Sequence, residues 1–164
     1  MYACVPHKNG WTSFKTAAAE SLGITRAQFK DMGLSARQVK RMSGERLLAV
    51  RDPVDRFRSL WKHVNREAMA DRRHGFIWEH RLHGSTPDEL MAFVESHPDE
   101  NRHWVRQSSY LVEDVILVRF DRILAQLGLP EKHLNGIDAE CPPMPVDRIL
   151  SHYSVDKALA DRSA

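Results

Sequence analysis

The sequence predicts an α/β domain with a small central parallel sheet flanked by helices, and three observations carry that expectation. Residues 2–6, 47–50 and 115–118 are short, continuous apolar runs, the pattern of strands covered on both faces. Between them lie longer segments whose apolar residues recur every three or four positions, the spacing of one helix face. Strands alternating with helices need crossover connections, and crossovers make a sheet parallel.

Taken in order, the first strand ends at a polar turn, Lys8-Asn9-Gly10. A helix follows, favoured by Ala17, Ala18 and Ala19 and stopped near Gly23. The polar stretch 25–45 holds a short helix at 35–42, and the second strand comes next. Asp52 then caps a helix whose first position is Pro53 and whose first turn carries Asp55, where the helix dipole favours negative charge. Its apolar stripe is Val54, Phe57, Trp61 and Val64, which places 52, 56, 59 and 63 on the opposite face. Thr86-Pro87-Asp88-Glu89 is a capping-box start for a helix through Leu90, Phe93 and Val94 to about His97. After the third strand, Asp121 caps a helix through Ile123, Leu124 and Leu127 that stops at Gly128-Leu129-Pro130. Beyond the proline-rich turn at 141–145, a last helix runs over 147–161.

Length and composition narrow the function classes. At 164 residues, without an internal repeat or a Gly/Ser linker, the chain reads as one domain over 1–164. No apolar run approaches the roughly 18 residues of a membrane span, and no charged-then-apolar leader precedes the first strand, which favours the cytoplasm or a piece of a longer protein. Cys4 and Cys141 are too few for a disulfide framework and lack partners at metal-ligand spacing; they read as reduced thiols, Cys4 buried in its strand. A net charge of +2 is too balanced for a general nucleic-acid binder. Arg66, Arg72, Arg73, His74, His80, Arg81 and His83 nevertheless make a local basic cluster, either an anion-attracting face or a solvated one.

Two motifs fall at the carboxyl ends of strands, where open α/β sheets bind ligands. The turn Pro6-His7-Lys8-Asn9-Gly10-Trp11-Thr12-Ser13 directs backbone N–H groups, a helix N-terminus, hydroxyls and a lysine toward one point. It is an anion site or an ordinary capped turn with a surface lysine. It is not a Walker A loop, because the earlier glycine and the Gly-Lys-Ser/Thr order are both missing. The second motif, Arg51-Asp52-Pro53-Val54-Asp55-Arg56-Phe57-Arg58-Ser59, puts Arg51 at a strand tip and Arg56 and Ser59 on one helix face. It either grips a second phosphate or makes surface ion pairs at a helix start.

Together these motifs resemble the signature of the sulfotransferases that use 3′-phosphoadenosine-5′-phosphosulfate (PAPS), particularly the carbohydrate-type branch. In that signature a Pro-Lys-x-Gly-x-Thr-Ser loop serves the 5′-phosphosulfate and an Arg-Asp-Pro-x-x-Arg-x-x-Ser segment the 3′-phosphate. Later stretches are similar to the same family in the same order: Asn101-Arg102-His103-Trp104-Val105-Arg106-Gln107, then Val118-Arg119-Phe120-Asp121 to Leu127-Gly128-Leu129, then His133-Leu134-Asn135. The sequence departs from the pattern at His7, where the family has proline, and at Trp11, where it has a small residue. The chain is also short for the family.

The resemblance implies a three-layer P-loop-like domain and an in-line sulfuryl transfer from PAPS to a hydroxyl acceptor, a carbohydrate by branch, with no metal. It implies donor contacts from Lys8, Asn9, Gly10, Trp11, Thr12 and Ser13 on one side and from Arg51 and Ser59 on the other. Lys8 would neutralise charge on the bridging oxygen as adenosine 3′,5′-bisphosphate leaves. No histidine lies between Phe14 and Arg51, so the base comes from elsewhere: His103 is the first candidate, beside an aromatic that can stack on a sugar, with Glu79, His80 and His7 as rivals. The partners expected are therefore small molecules, the nucleotide donor and its acceptor, with no nucleic acid and no membrane. A P-loop-like nucleotide kinase and a non-catalytic binder of a nucleotide or of a sulfated or phosphorylated partner are the competing readings.

Overall fold

Three parallel strands form the sheet: β1 (Tyr2–Cys4), β2 (Arg46–Val50) and β3 (Val115–Arg119), in that spatial order. Cys4 pairs with Leu48, and Leu48 with Leu117, so the three carboxyl ends emerge side by side. The computed structural model describes residues 2–6, 8, 11–31, 44–66, 75–130 and 140–163. The helix expected at 35–42, the turn at 133–135 and residues His7, Asn9, Gly10, Arg72, Arg73 and His74 lie outside the described residues.

As the central strand, β2 has Leu47, Leu48, Ala49 and Val50 all buried, which explains its uninterrupted apolar run. Alternate residues serve opposite faces. Leu47, Ala49, Val5 and Val118 pack against Ala17 and Phe14 of α1 (Trp11–Ser21) and against Ile123 and Leu124 of the short helix 123–126. Leu48, Val50 and Leu117 pack the other way, against Leu159, Tyr110 and Leu111. Helices therefore cover both faces. β3 departs from the expectation of a fully buried strand, since Ile116 is 43% exposed. Cys4 is likewise partly exposed rather than buried. Both residues sit on outer strands, where helices that close over the middle of a narrow sheet leave the margins uncovered.

After α2 (Arg26–Asp31) and β2, α3 (Pro53–Val64) starts as expected, with Asp52 Oδ1 accepting from the N–H groups of Val54 (2.9 Å) and Asp55 (3.3 Å). Its buried face consists of Pro53, Arg56, Phe57, Leu60 and Val64, while Val54 and Trp61 stay partly exposed. The expectation that Arg56 lies opposite the buried stripe is therefore corrected. A stripe wide enough to seat a helix takes in position 56, and a buried carboxylate faces it there, as described below.

Beyond α4 (Phe76–Glu79), α5 (Pro87–Ser96) opens with the expected capping box: Glu89 N–H donates to Thr86 Oγ1 (3.2 Å) and Thr86 N–H to Glu89 Oε2 (2.8 Å). Replacing Thr86 by alanine is expected to cost about 1 kcal/mol of folding stability. Urea denaturation checks this, and an unchanged midpoint would show that tertiary packing alone sets the start of α5.

A 3-10 helix follows (Gln107–Tyr110), then β3 and α6 (Ile123–Gln126). Asp121 does not cap α6 as expected; it pairs with Arg119 (2.7 Å), two residues back at the strand end. The single last helix expected at 147–161 is two helices, α7 (Val146–His152) and α8 (Ser154–Arg162). They part at Tyr153, whose buried hydroxyl donates to Trp104 O (2.7 Å). The break lets Ile149 of α7 pack in a second core with Phe57, Leu60, Leu90 and Trp104, while Leu159 of α8 reaches the sheet. Among the described residues no helix is long and apolar enough to cross a membrane.

Candidate functional site

Because β1 and β2 are neighbours, the turns that leave them meet. Lys8 sits in the left-handed backbone region (φ 70°), which bends the chain sharply from β1 toward α1. No acidic residue occupies the first turn of α1, so the positive end of its dipole has no counter-charge from its own sequence. Thr12 and Ser13 stand in that turn, partly buried, and Thr16 Oγ1 donates to Thr12 O (3.0 Å).

Arg51 leaves the tip of β2 and reaches across: its Nη1 donates to Lys8 O (2.9 Å), and its guanidinium carbon lies 4.5 Å from the centre of the Phe120 ring. The buried Nε–H of Arg51 meets no acceptor among the described residues. A buried donor left unpaired is costly, so such a group calls for a partner. The backbone of Arg51 is held from both sides by one amide: Arg51 N–H donates to Gln107 Oε1 and Gln107 Nε2 donates to Arg51 O, each 2.9 Å. Gln107 N–H and Ser108 N–H in turn donate to the two oxygens of Asp156 (2.7 and 2.9 Å), and Arg56 Nη1 lies 4.0 Å from that carboxylate. Gln107 and Asp156 are wholly buried.

Positive charge gathers at this point. Burial pushes the Lys8 ammonium from its ordinary value of 10.5 down to about 7, and the nearby charges of Arg66, Arg56 and Arg51 add to the effect. Burial also lowers Arg51, partly offset by Asp55 and Asp52. Cations crowded together with donors to spare suit an oxyanion, whose charge relieves their mutual repulsion.

The structure thus brings Lys8 and Arg51 together, with Thr12 and Ser13 at the adjoining helix start and Trp11 as the first residue of α1. Ser59 lies two turns into α3, partly buried, and no hydrogen bond joins it to Arg51 among the described residues. His103 belongs to a turn in which its N–H donates to Asn101 Oδ1 (3.0 Å), and its ring stacks on His63 (centroids 5.2 Å apart, planes 14° apart). With Arg56, Phe57, Trp104 and Tyr153 it lines a pocket of about 10 Å3, room for about one water. Arg56 also lines the His103 pocket, and its charge is among those that lower Lys8. Trp104, expected to offer a stacking face for a sugar, is corrected to a core residue: it is 1% exposed and its Nε1 donates to His97 O. Glu79 and His80 are exposed, and the His80 ring packs on Phe93 and His97 rather than on His103.

Sequence reasoning missed the roles of Gln107, Asp156 and Phe120 at this site. Asp156 carried a signal: it stands between Tyr153 and Leu159 at helical spacing, so a carboxylate occupies the apolar face of α8. Phe120 carried none, because its value lies in a contact across the sheet. Among the described residues no group of three or more His, Cys, Asp and Glu is placed to hold a metal ion. No family model matches the chain, and no curated protein or solved structure matches it.

Proposed function

We propose that this chain is a PAPS-dependent sulfotransferase on a three-layer P-loop-like fold, acting on a hydroxyl acceptor of carbohydrate type. The observation that carries the reading is the junction of the two motifs: Arg51 is bonded to the Lys8 carbonyl, among clustered cations, and its buried Nε–H has no acceptor among the described residues. A bisphosphorylated nucleotide needs two anion subsites held at fixed separation, and the parallel pairing of β1 with β2 supports such a spacing. In this reading the start of α1, with Thr12 and Ser13, holds the 5′-phosphate, and Arg51 holds the 3′-phosphate. Ser59 contributes only if the donor itself bridges it to Arg51.

The transfer is an in-line displacement. The acceptor oxygen bonds to sulfur as the bond from sulfur to the bridging oxygen breaks, and adenosine 3′,5′-bisphosphate leaves. Lys8 stabilises the charge that grows on the bridging oxygen, and His103 receives the acceptor's proton. The carbohydrate class rests on sequence resemblance alone.

Calorimetric titration with adenosine 3′,5′-bisphosphate and adenosine 5′-monophosphate tests the donor site. Arg51→Ala is expected to lose about 1.5–3 kcal/mol for the bisphosphate, roughly 10- to 150-fold in affinity, with little change for the monophosphate. Equal losses for both would show that Arg51 only shapes the Lys8 turn. Stabilisation of the chain by ATP but not by the bisphosphate would favour a nucleotide kinase, and bisphosphate binding without transfer from labelled PAPS would favour a binder.

A further inference from the structure

We infer that Asp156 and Gln107 form a positioning pair for Arg51, which makes helix α8 a strut of the phosphate site as well as a cover for the sheet. Arg51 lies one residue past the end of the β2–β3 ladder, whose last pair is Val50 with Arg119. A strand tip there would ordinarily be free to drift. Instead the Gln107 carboxamide supplies both an acceptor and a donor to the Arg51 backbone, the two bonds that a neighbouring strand would make. Glutamine suits this place because one planar group carries both functions; a carboxylate offers only acceptors and an apolar side chain neither.

Gln107 is itself fixed from a distance. It opens a 3-10 helix that lacks a side-chain cap from its own N-cap residue, Arg106. Asp156 supplies the missing capping carboxylate from α8, accepting from the first two N–H groups at 2.7 and 2.9 Å. A wholly buried carboxylate is tolerated only where hydrogen bonds and positive charge satisfy it, and here both N–H groups and Arg56 do so. The next residue, Lys157, lies 3.9 Å from Asp52, the cap of α3. Adjacent residues of α8 thus reach Gln107, the support of Arg51, and Asp52 itself. Recognition of an oxyanion by one guanidinium depends on sub-ångström placement, so loosening this chain should weaken recognition at Arg51 before it unfolds the domain.

This inference rests on the proposed donor site, and its test separates the two. Gln107→Leu, Gln107→Glu and Asp156→Asn are each checked for cooperative thermal unfolding, then titrated with adenosine 3′,5′-bisphosphate and adenosine 5′-monophosphate. Positioning predicts that the preference for the bisphosphate falls by about 10-fold or more in the folded variants, by analogy with the loss of a hydrogen bond that orients a metal ligand. A lower melting temperature with an unchanged preference would overturn it, because a purely structural pair has no reason to discriminate between the nucleotides. Failure of all three variants to fold would overturn it too. Should the wild-type chain bind neither nucleotide, or both equally, the sulfotransferase reading fails by itself. The probe is then inorganic pyrophosphate, scored by the thermal stabilisation that Arg51→Ala abolishes. Loss of that stabilisation in Gln107→Leu supports positioning; its retention, or the lack of any Arg51-dependent stabilisation in the wild type, overturns it.

Discussion

Lys8→Ala is expected to lower sulfuryl-transfer turnover by about 100-fold or more while binding of adenosine 3′,5′-bisphosphate changes far less. The difference follows from when the ammonium acts: charge on the bridging oxygen grows only as the bond to sulfur breaks, so the contact is stronger in the transition state than in the bound donor. Alanine keeps the β-carbon in the left-handed turn, so the comparison isolates the ammonium; Lys8→Gly, which also relieves that backbone, should lose as much activity. Single-turnover rates and calorimetric affinities measured on the same variants decide the matter. Preserved turnover with weakened donor binding would assign Lys8 to recognition alone.

The same residue predicts a protonic signature. With its folded value near 7 against an ordinary 10.5, Lys8 disfavours its charged form in the fold. Between those values the unfolded chain binds more protons than the folded one, so this group's destabilising contribution is full below about pH 7 and fades as pH rises toward 10.5. On the proposed reading, a phosphate bound beside Lys8 favours its charged form. Bisphosphate binding at pH 8 should therefore take up protons, seen as a binding enthalpy that depends on the ionisation enthalpy of the buffer, and Lys8→Ala should remove that dependence.

His103→Ala is the second large effect, an expected loss of about 10²–10⁴ in turnover with normal bisphosphate affinity. The ring lines a pocket that Arg56 lines too, and the charge of Arg56 is one of those felt at Lys8. His80→Ala and His7→Ala are the rivals to compare, and His63→Ala tests the stacked partner. A base loses rate but not donor affinity. Near-normal turnover in His103→Ala would return that residue to a packing role, with catalysis then assigned to whichever rival variant loses it.

How much of this was legible in the sequence depended on the range of the contacts involved. Strand β2 was plain because Leu47 to Val50 are all buried and need no polar partner. The starts of α3 and α5 were plain because Asp52 and Thr86 satisfy N–H groups within three residues of themselves. Sequence reading failed in two other places. Asp121 looks like a cap but takes another local partner, Arg119, and the helix expected at 147–161 breaks at Tyr153, whose hydroxyl reaches Trp104, 49 residues away. For the candidate site, Lys8 and Arg51 stood out by their places at strand ends, whereas nothing in their order along the chain says that one donates to the carbonyl of the other.

By itself, then, the sequence determined the parallel α/β class, the strand positions and the starts of α3 and α5, since periodicity and capping act over a few residues and leave their pattern in the order of the chain. Only the tertiary structure decided that Arg56 points inward, that Trp104 is core, and that Gln107 and Asp156 carry Arg51. The placing of Arg56 and the support of Arg51 depend on pairs separated by 49 or more residues, such as Gln107 with Asp156 and Arg51 with Gln107. A buried polar group takes whichever partner the packed fold brings within about 3 Å, and chain order does not encode that proximity.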